Sequence, residues 1–252
     1  MDFLFRDLHL FADGNEIAQG CRLSLTAEET LSLRPALQRL EILDLSDSSA
    51  ALLSGARGLE VRNGESILAF GTPSEILTRA VSGKHLTSAV FSSGLSLWES
   101  SVSLSLAAGL KVSDTIRKLL EASGCGVPLA AFAAEDAAFF RPQAFFGRIC
   151  DALDLLARRV EADAFLSSAG VCVSGRDARD PALILPESAL SAPPVLSGSR
   201  LILTTTMLGW PLGSFVRAEW QGNAWTGRLV SRLIQADNRD GPWRSELELE
   251  VG

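Results

Sequence analysis

Tyrosine is absent from this chain, and histidine occurs only twice, as His9 and His85. Few side chains that exchange protons near neutral pH are therefore at hand. Both histidines fall in segments with strand patterning and are read as strand residues. Serine is plentiful, but the Gly-x-Ser-x-Gly elbow of a serine nucleophile does not occur. The four cysteines, Cys21, Cys125, Cys150 and Cys172, are widely separated. Zinc ribbons and iron–sulfur loops need close ligand pairs, so no metal site is expected. The same spacing suits reduced thiols buried in a cytosolic folding environment. The phosphate loop Gly-x-x-x-x-Gly-Lys is missing as well, which removes support for nucleotide chemistry. No cofactor is expected. No apolar run reaches about 18 residues, so no membrane-spanning helix is expected. The longest candidate, Gly124–Phe140, is interrupted by Pro128, Glu135 and Asp136. The opening Met1-Asp2-Phe3-Leu4-Phe5-Arg6-Asp7 puts acids where a secretion signal needs a basic segment, and no such signal is expected.

What is present suits a packed, acidic, mainly extended chain. Of the 252 residues 47% are hydrophobic and 21% charged, a balance that supports a core and argues against wholesale disorder. The net charge of -7 repels phosphate, so nucleic acid is a poor candidate for a specific partner. Arginine greatly outnumbers lysine. Its planar fork suits lasting protein–protein contacts, and high-GC codon usage accounts for the same bias.

Strand and turn signals fill the first 98 residues. Leu8–Phe11 runs into Asp13-Gly14-Asn15, a hairpin turn, and leaves as Glu16–Ala18. Cys21–Thr26 and Arg39–Leu45 alternate with period two. Ser46–Gly55 reads as a loop or short helical turn. Leu59–Arg62 and Ser66–Phe70 flank Asn63-Gly64-Glu65, and Gly71-Thr72-Pro73 is expected to break the run. Glu75–Val81 and His85–Phe91 form two more strands around Ser82-Gly83-Lys84. Short strands at such spacing suggest a small barrel or sandwich. Ser101–Leu106 is still extended. The period then changes. Ser113 is a candidate helix cap, Ile116, Leu119 and Leu120 share one face, and Gly124 is a candidate stop. A second helix is predicted from Phe145, Ile149, Leu153, Leu156 and Val160. A hairpin is expected around Ala169-Gly170, and residues 176–199 read as a connector. Arg200–Val216, Glu219–Leu229 and Arg232–Val251 are again apolar segments of strand character. They include the polar turn Ala236–Trp243.

The expected architecture is mainly β with a small α+β insertion: two small β-barrel domains joined by a helix-containing middle domain. The expected boundaries are 1–100, 101–190 and 191–252. Two acidic groupings invite chemistry. Glu135-Asp136 could serve acid–base work, but no second carboxylate motif supports it, and it reads as a solvated face. Asp237, Asn238 and Asp240 lack the spacing and final Glu of a calcium loop and read as a polar turn. Four of the five tryptophans, Trp210, Trp220, Trp225 and Trp243, cluster near the end of the chain. Trp220 and Trp225 flank Gln221-Gly222-Asn223-Ala224, an expected hairpin tip, where an aromatic side chain meets a partner more readily than a core. Trp220, Trp225 and Trp243 are the candidate interface residues. No catalytic residue is assigned.

In order along the chain these parts resemble the baseplate hub proteins of contractile phage tails and the tail-tip hubs of non-contractile ones. The opening hairpin Leu10–Ile17, the strand and loop Leu40–Ser46 and the step Gly58–Gly64 resemble the hub's first barrel. Gly109–Leu120 resembles the helix that follows it. Ala152–Ala157 with Gly170–Val173 resembles a second helix and hairpin, and Gly213–Glu219 with Ala236–Trp243 the second barrel. The Ala-rich segment 124–142 matches no hub motif. The resemblance implies a non-catalytic homotrimer whose three pairs of barrels form a ring of six. Such a ring would join a six-fold tail tube to a three-fold spike or tip, in the tail of a virion assembled in the bacterial cytoplasm. It implies the tail tube protein and the spike or tip protein as partners, with the tape-measure protein as a further candidate. DNA would pass through the lumen without specific binding, which an acidic lining would favour. Two other readings stand beside it: a tail-associated cell-wall hydrolase, and a carbohydrate- or receptor-binding β module supported by the tryptophans.

Overall fold

The structure, a computed structural model, describes residues 6–176 and 182–251. Five residues of the expected connector, 177–181, lie outside the described residues.

Strands β1 (His9–Ala12) and β2 (Asn15–Ile17) form the opening hairpin. Its turn residues Asp13 and Gly14 both take positive φ, 48° and 81°, the two-residue turn whose twist matches antiparallel strands. The Asp13 carboxylate also accepts the Arg57 and Gly58 backbone N–H groups at 3.0 and 2.9 Å. Then come β3 (Arg22–Thr30), β4 (Ala36–Leu43) and a helix, α1 (Asp47–Gly55). The Ser46 hydroxyl caps α1 by accepting the Ser49 N–H at 3.3 Å. Strands β5 (Leu59–Asn63), β6 (Ser66–Val81) and β7 (Lys84–Ser93) complete this part. Here the structure corrects the expected break at Gly71-Thr72-Pro73, because β6 runs through it without interruption. A register shift between Pro73 and Glu75 absorbs the proline, and Gly71 pairs with Leu59.

The middle of the chain holds α2 (Leu95–Glu99), β8 (Ser101–Leu106), α3 (Val112–Ser123) and β9 (Leu129–Ala133). It continues with β10 (Gln143–Arg148), α4 (Ile149–Arg159), β11 (Ala162–Ser167) and β12 (Gly170–Gly175). Gly124 ends α3 in the left-handed conformation (φ 66°), as predicted. Two expectations change. The residue that caps α3 is Lys111, which lends no side-chain oxygen, and Ser113 lies inside the first turn. The second helix starts at Ile149, not Phe145. Phe145 is a strand residue of β10, opposite Leu104 of β8. Its burial matches the helical period only because a strand end and a helix start share one core. The expected hairpin is β11–β12, and β9 adds to β12 in parallel.

The last part contains β13 (Leu183–Leu185), β14 (Val195–Ser197) and β15 (Arg200–Thr205), then β16 (Phe215–Trp220), β17 (Asn223–Asp237) and β18 (Trp243–Val251). The expected run Arg200–Val216 is thus two strands with an irregular stretch between them. More than half of the strands belong to one sheet in the order β14-β15-β18-β17-β3-β4-β7-β6-β5-β1-β2, with β16 between β17 and β13. The fold is mainly β with a small helical insertion. Among the described residues no helix is long and apolar enough to cross a membrane.

The chain divides into two compact units. One comprises Met1–Glu29, Ala36–Ser93 and Pro181–Gly252; the other comprises Thr30–Pro35 and Gly94–Asp180. Three hydrophobic clusters fill them. The first unit holds two: one around Leu10, Leu25, Leu40 and Phe91, the other around Leu201, Leu203, Leu247 and Leu249. The second unit holds one, where Ile116 and Leu119 of α3 meet Leu153 and Leu156 of α4. The first and last parts of the sequence therefore share a unit, which the three-part division did not anticipate. Strand β17 is the cause. At 15 residues it is long enough to place Leu229 in one cluster and Ile234 and Ala236 in the other.

Candidate assembly surfaces

Trp220 and Trp225 lie at the β16–β17 tip. Gln221 and Gly222 make the turn, with φ 49° and 82°. Trp220 pairs with Asn223 and Trp225 with Ala218, so the two indoles are near neighbours on the hairpin. Both are half-buried and pack against the second cluster of the first unit, with part of each ring left to solvent. Trp243 does not join them. It is 7% exposed and belongs to the other cluster of that unit, with the Arg6 guanidinium 6.0 Å from its ring centroid. It pairs with Ala236 on β17, eleven residues from Trp225, roughly 36 Å at strand rise. It takes a core position in the first unit rather than the expected surface one. Trp210 is buried as well, and its indole N–H donates to the Met207 carbonyl at 3.1 Å.

The polar turn after β17 is tied to the start of β3. Asn238 accepts the Leu23 N–H at 2.9 Å and donates to the Cys21 carbonyl at 3.0 Å. The Asp237 carboxylate takes two N–H donors from Arg22, at 2.9 and 3.0 Å, and the Arg239 backbone N–H at 2.9 Å. Burial alone would raise the Asp237 pKa. The Arg239 and Gly241 backbone donors and Arg22 together outweigh it and hold this carboxyl below its ordinary value. A depressed folded-state pKa adds stability above the unfolded value, about 3.9, and that stability is lost as pH falls through the folded one. Asp237→Asn should therefore lose stability at pH 6 relative to the parent, and the gap should close at low pH. Urea midpoints at pH 6 and pH 2.5 check this; a gap independent of pH would count against it.

Asp136 has a defined structural place. Its two oxygens accept the Ser113 backbone N–H at 3.0 Å and the Ser113 hydroxyl at 2.7 Å, so it caps α3 from outside the helix. Asp136→Ala should cost about 1 kcal/mol, the usual worth of such a cap. Thermal melting checks it, and an unchanged midpoint would refute it. His9 sits between Asp7 (2.8 Å) and Glu16 (2.7 Å). The hydrogen bond that its ring N–H donates to Glu16 is the largest of the effects raising its pKa. All four cysteines are free, and burial pushes the Cys150 thiol up to about 11, far from the thiolate that reacts. Among the described residues no cluster of His, Cys, Asp and Glu could hold a metal ion.

Other exposed features went unread in the sequence. Among the described residues the outer half of β6, Thr72–Val81, pairs only with β7, and Leu77 and Val81 on it are exposed. At the end of the sheet β14 exposes Val195 and Leu196. A sheet edge of this kind is a place where another strand can add. In the second unit Phe140 and Phe146 are 94% and 93% exposed. The signal for them was the pair of doublets Phe139-Phe140 and Phe145-Phe146. On β10 neighbours face opposite ways, so Phe146 leaves the core where Phe145 enters it; Phe140 stands at the bend that follows Phe139.

No family model matches the chain, and no curated protein matches it. Solved structures do match, over its whole length. The fold is that of phage tail proteins. The tail protein from Neisseria meningitidis MC58 matches with TM-score 0.72 and 15% identity, over 96% of this chain and 95% of its own. The 43 kDa tail protein of prophage MuSo2 from Shewanella oneidensis matches with TM-score 0.69 and 12% identity, over 97% of each. The E. coli c3393 protein is a type VI secretion component with structural similarity to the T4 bacteriophage tail proteins gp27 and gp5. It matches with TM-score 0.68 and 11% identity, over 96% of this chain and 76% of its own. At such identities what is shared is the fold.

Proposed function

We propose that this chain is a structural, non-catalytic hub protein of a phage tail or tail-like particle. In this reading three copies close into a ring, each contributing two β cores, and the ring joins a six-fold tube to a three-fold spike or tip. The observation that carries it is a whole-length match to tail proteins, in which neither chain has a large unmatched part. Two β cores in one compact unit supply the repeat that such a ring needs. The free β6 and β14 edges supply strands that can pair between copies, and head-to-tail contacts of that kind close into rings. The net charge of -7 suits a channel that DNA passes without sticking. Tube, spike and tape-measure proteins are the corresponding partners, and the virion tail is the corresponding place.

Immuno-electron microscopy of particles from a producing culture tests this. Antibody to this chain should label one end of each tube. Label along the whole tube, or none on intact particles, would contradict the proposal.

A further inference from the structure

Two phenylalanines of the second unit stand almost fully in water. Phe139 and Phe145 are buried in the unit's core, whereas Phe140 and Phe146 face out beside them. Phe146 on β10 lies opposite Ser103, on a ribbon face whose other outward residues are Ser101, Ser105, Ala144 and Arg148, the last with its guanidinium over the Trp98 ring instead. Small neighbours leave the ring uncovered. Each exposed ring forgoes about 1.5–3 kcal/mol of burial. Single exposed apolar residues are ordinary, but two rings so completely exposed and so close in the chain have the form of interface anchors. Next to Phe140 is Arg141, exposed and without a charged partner among the described residues.

The same unit carries a cleft of about 450 Å³ where the end of α3 meets the start of β9. Leu120, Val127, Pro128 and Leu129 make it apolar, and Arg117 and Glu121 stand at its rim. Arg117 is paired with Asp114 at 2.8 Å, so among the described residues the rim charge without an ion pair is the Glu121 carboxylate. One surface therefore offers an aromatic ring with a cation beside it. The other offers an apolar cleft with an anion beside it.

We propose that Phe140 of one copy seats in this cleft of the next copy, with Arg141 facing Glu121 and Phe146 as a second anchor on the same face. The inference rests on the ring reading and gives it a contact. Two different surfaces that fit one another make a head-to-tail contact, the kind that closes into a ring. A self-matching patch would give only a two-fold dimer.

Crosslinking of the purified chain tests it. The Cys125 side chain packs against the core of the unit and does not line the cleft, so Arg117→Cys at the rim serves as the acceptor. With Cys21, Cys125 and Cys172 changed to serine, Phe140→Cys combined with Arg117→Cys and treated with a short bismaleimide should give covalent dimers and trimers. Restoring arginine at 117 should abolish them. Separately, Phe140→Ser should weaken association about tenfold or more in sedimentation equilibrium, with an unchanged melting temperature. A trimeric parent with no crosslinked ladder would overturn this contact and leave the ring standing. So would a ladder that survives with arginine restored at 117, since the acceptor would then lie elsewhere. A parent that stays monomeric at every concentration overturns the contact too, because it needs only copies of this chain. The ring would then be judged by its copy number in particles.

Discussion

Replacing Arg232 with methionine should lower the free energy of unfolding by about 3–5 kcal/mol. Arg232 on β17 and Glu29 on β3 form an ion pair with both side chains about nine-tenths buried. The Arg232 Nε–H donates to Glu29 Oε2 at 2.8 Å, and an Nη1–H donates to the Trp210 carbonyl at 2.6 Å. Nη2 reaches the Leu68 carbonyl at 3.5 Å. Methionine keeps much of the volume but none of the donors. The Glu29 carboxylate is then left buried without its cation, and the Trp210 carbonyl loses its partner. The pair sits where the two clusters of the first unit adjoin, since Leu68 belongs to one and Trp210 to the other. Glu29→Met together with Arg232→Met should recover part of the loss, because no charge remains buried. Recovery stays incomplete while the carbonyls lack donors. Urea unfolding of the parent, the two single variants Arg232→Met and Glu29→Met, and the double variant measures this. A single-variant loss below about 1 kcal/mol would show that the pair does not hold this junction.

Gly71→Ala is the second large effect. A Cβ at Gly71 would lie 2.4 Å from both the carbonyl carbon and the oxygen of Ser92, and 2.7 Å from the Ser93 nitrogen. These are backbone atoms of β7, so relief requires moving a central strand. The expected cost is about 2–3 kcal/mol, the upper part of the range for overpacking. Gly55→Ala is the control. Nothing lies within 4 Å of its Cβ position, and it sits in α1, where alanine favours the helix by about 1 kcal/mol. Equal melting temperatures for the two variants would mean that the close approach of β6 and β7 yields freely.

These two residues also show where sequence reasoning reached its limit. The turns at Asp13-Gly14 and Ser82-Gly83, the Gly124 helix stop and the alternating strands were legible, because each is fixed by its own few residues. Gly71 read as a breaker, because a glycine beside a proline looks alike whether the strand ends or passes close to another backbone. Arg232 and Glu29 are separated by 203 positions, and no local period joins them. The cap on α3 was misassigned to Ser113 because its acceptor, Asp136, arrives from a later loop. Of the candidate interface, Trp220 and Trp225 lie where the hairpin signal put them. Trp243 followed the same compositional cluster into a core, since strand pairing rather than proximity in sequence set its face. The Phe145-Phe146 doublet was readable by the two-residue period, but the helical spacing of Phe145 with Ile149 and Leu153 hid it.

The hydrolase and sugar-binding readings make separable claims. A hydrolase would clear cell walls, and a sugar-binding module would hold glycan resin through the half-buried pair Trp220 and Trp225. The hub reading requires neither. It requires that the chain be a counted part of a particle.

Quantitative mass spectrometry of sedimented particles, with this chain counted against the tube protein, is the most direct measurement. The account predicts about three copies for each six-subunit ring layer of the tube at its end. Absence from intact particles, or a copy number that rises with tube length, would contradict it.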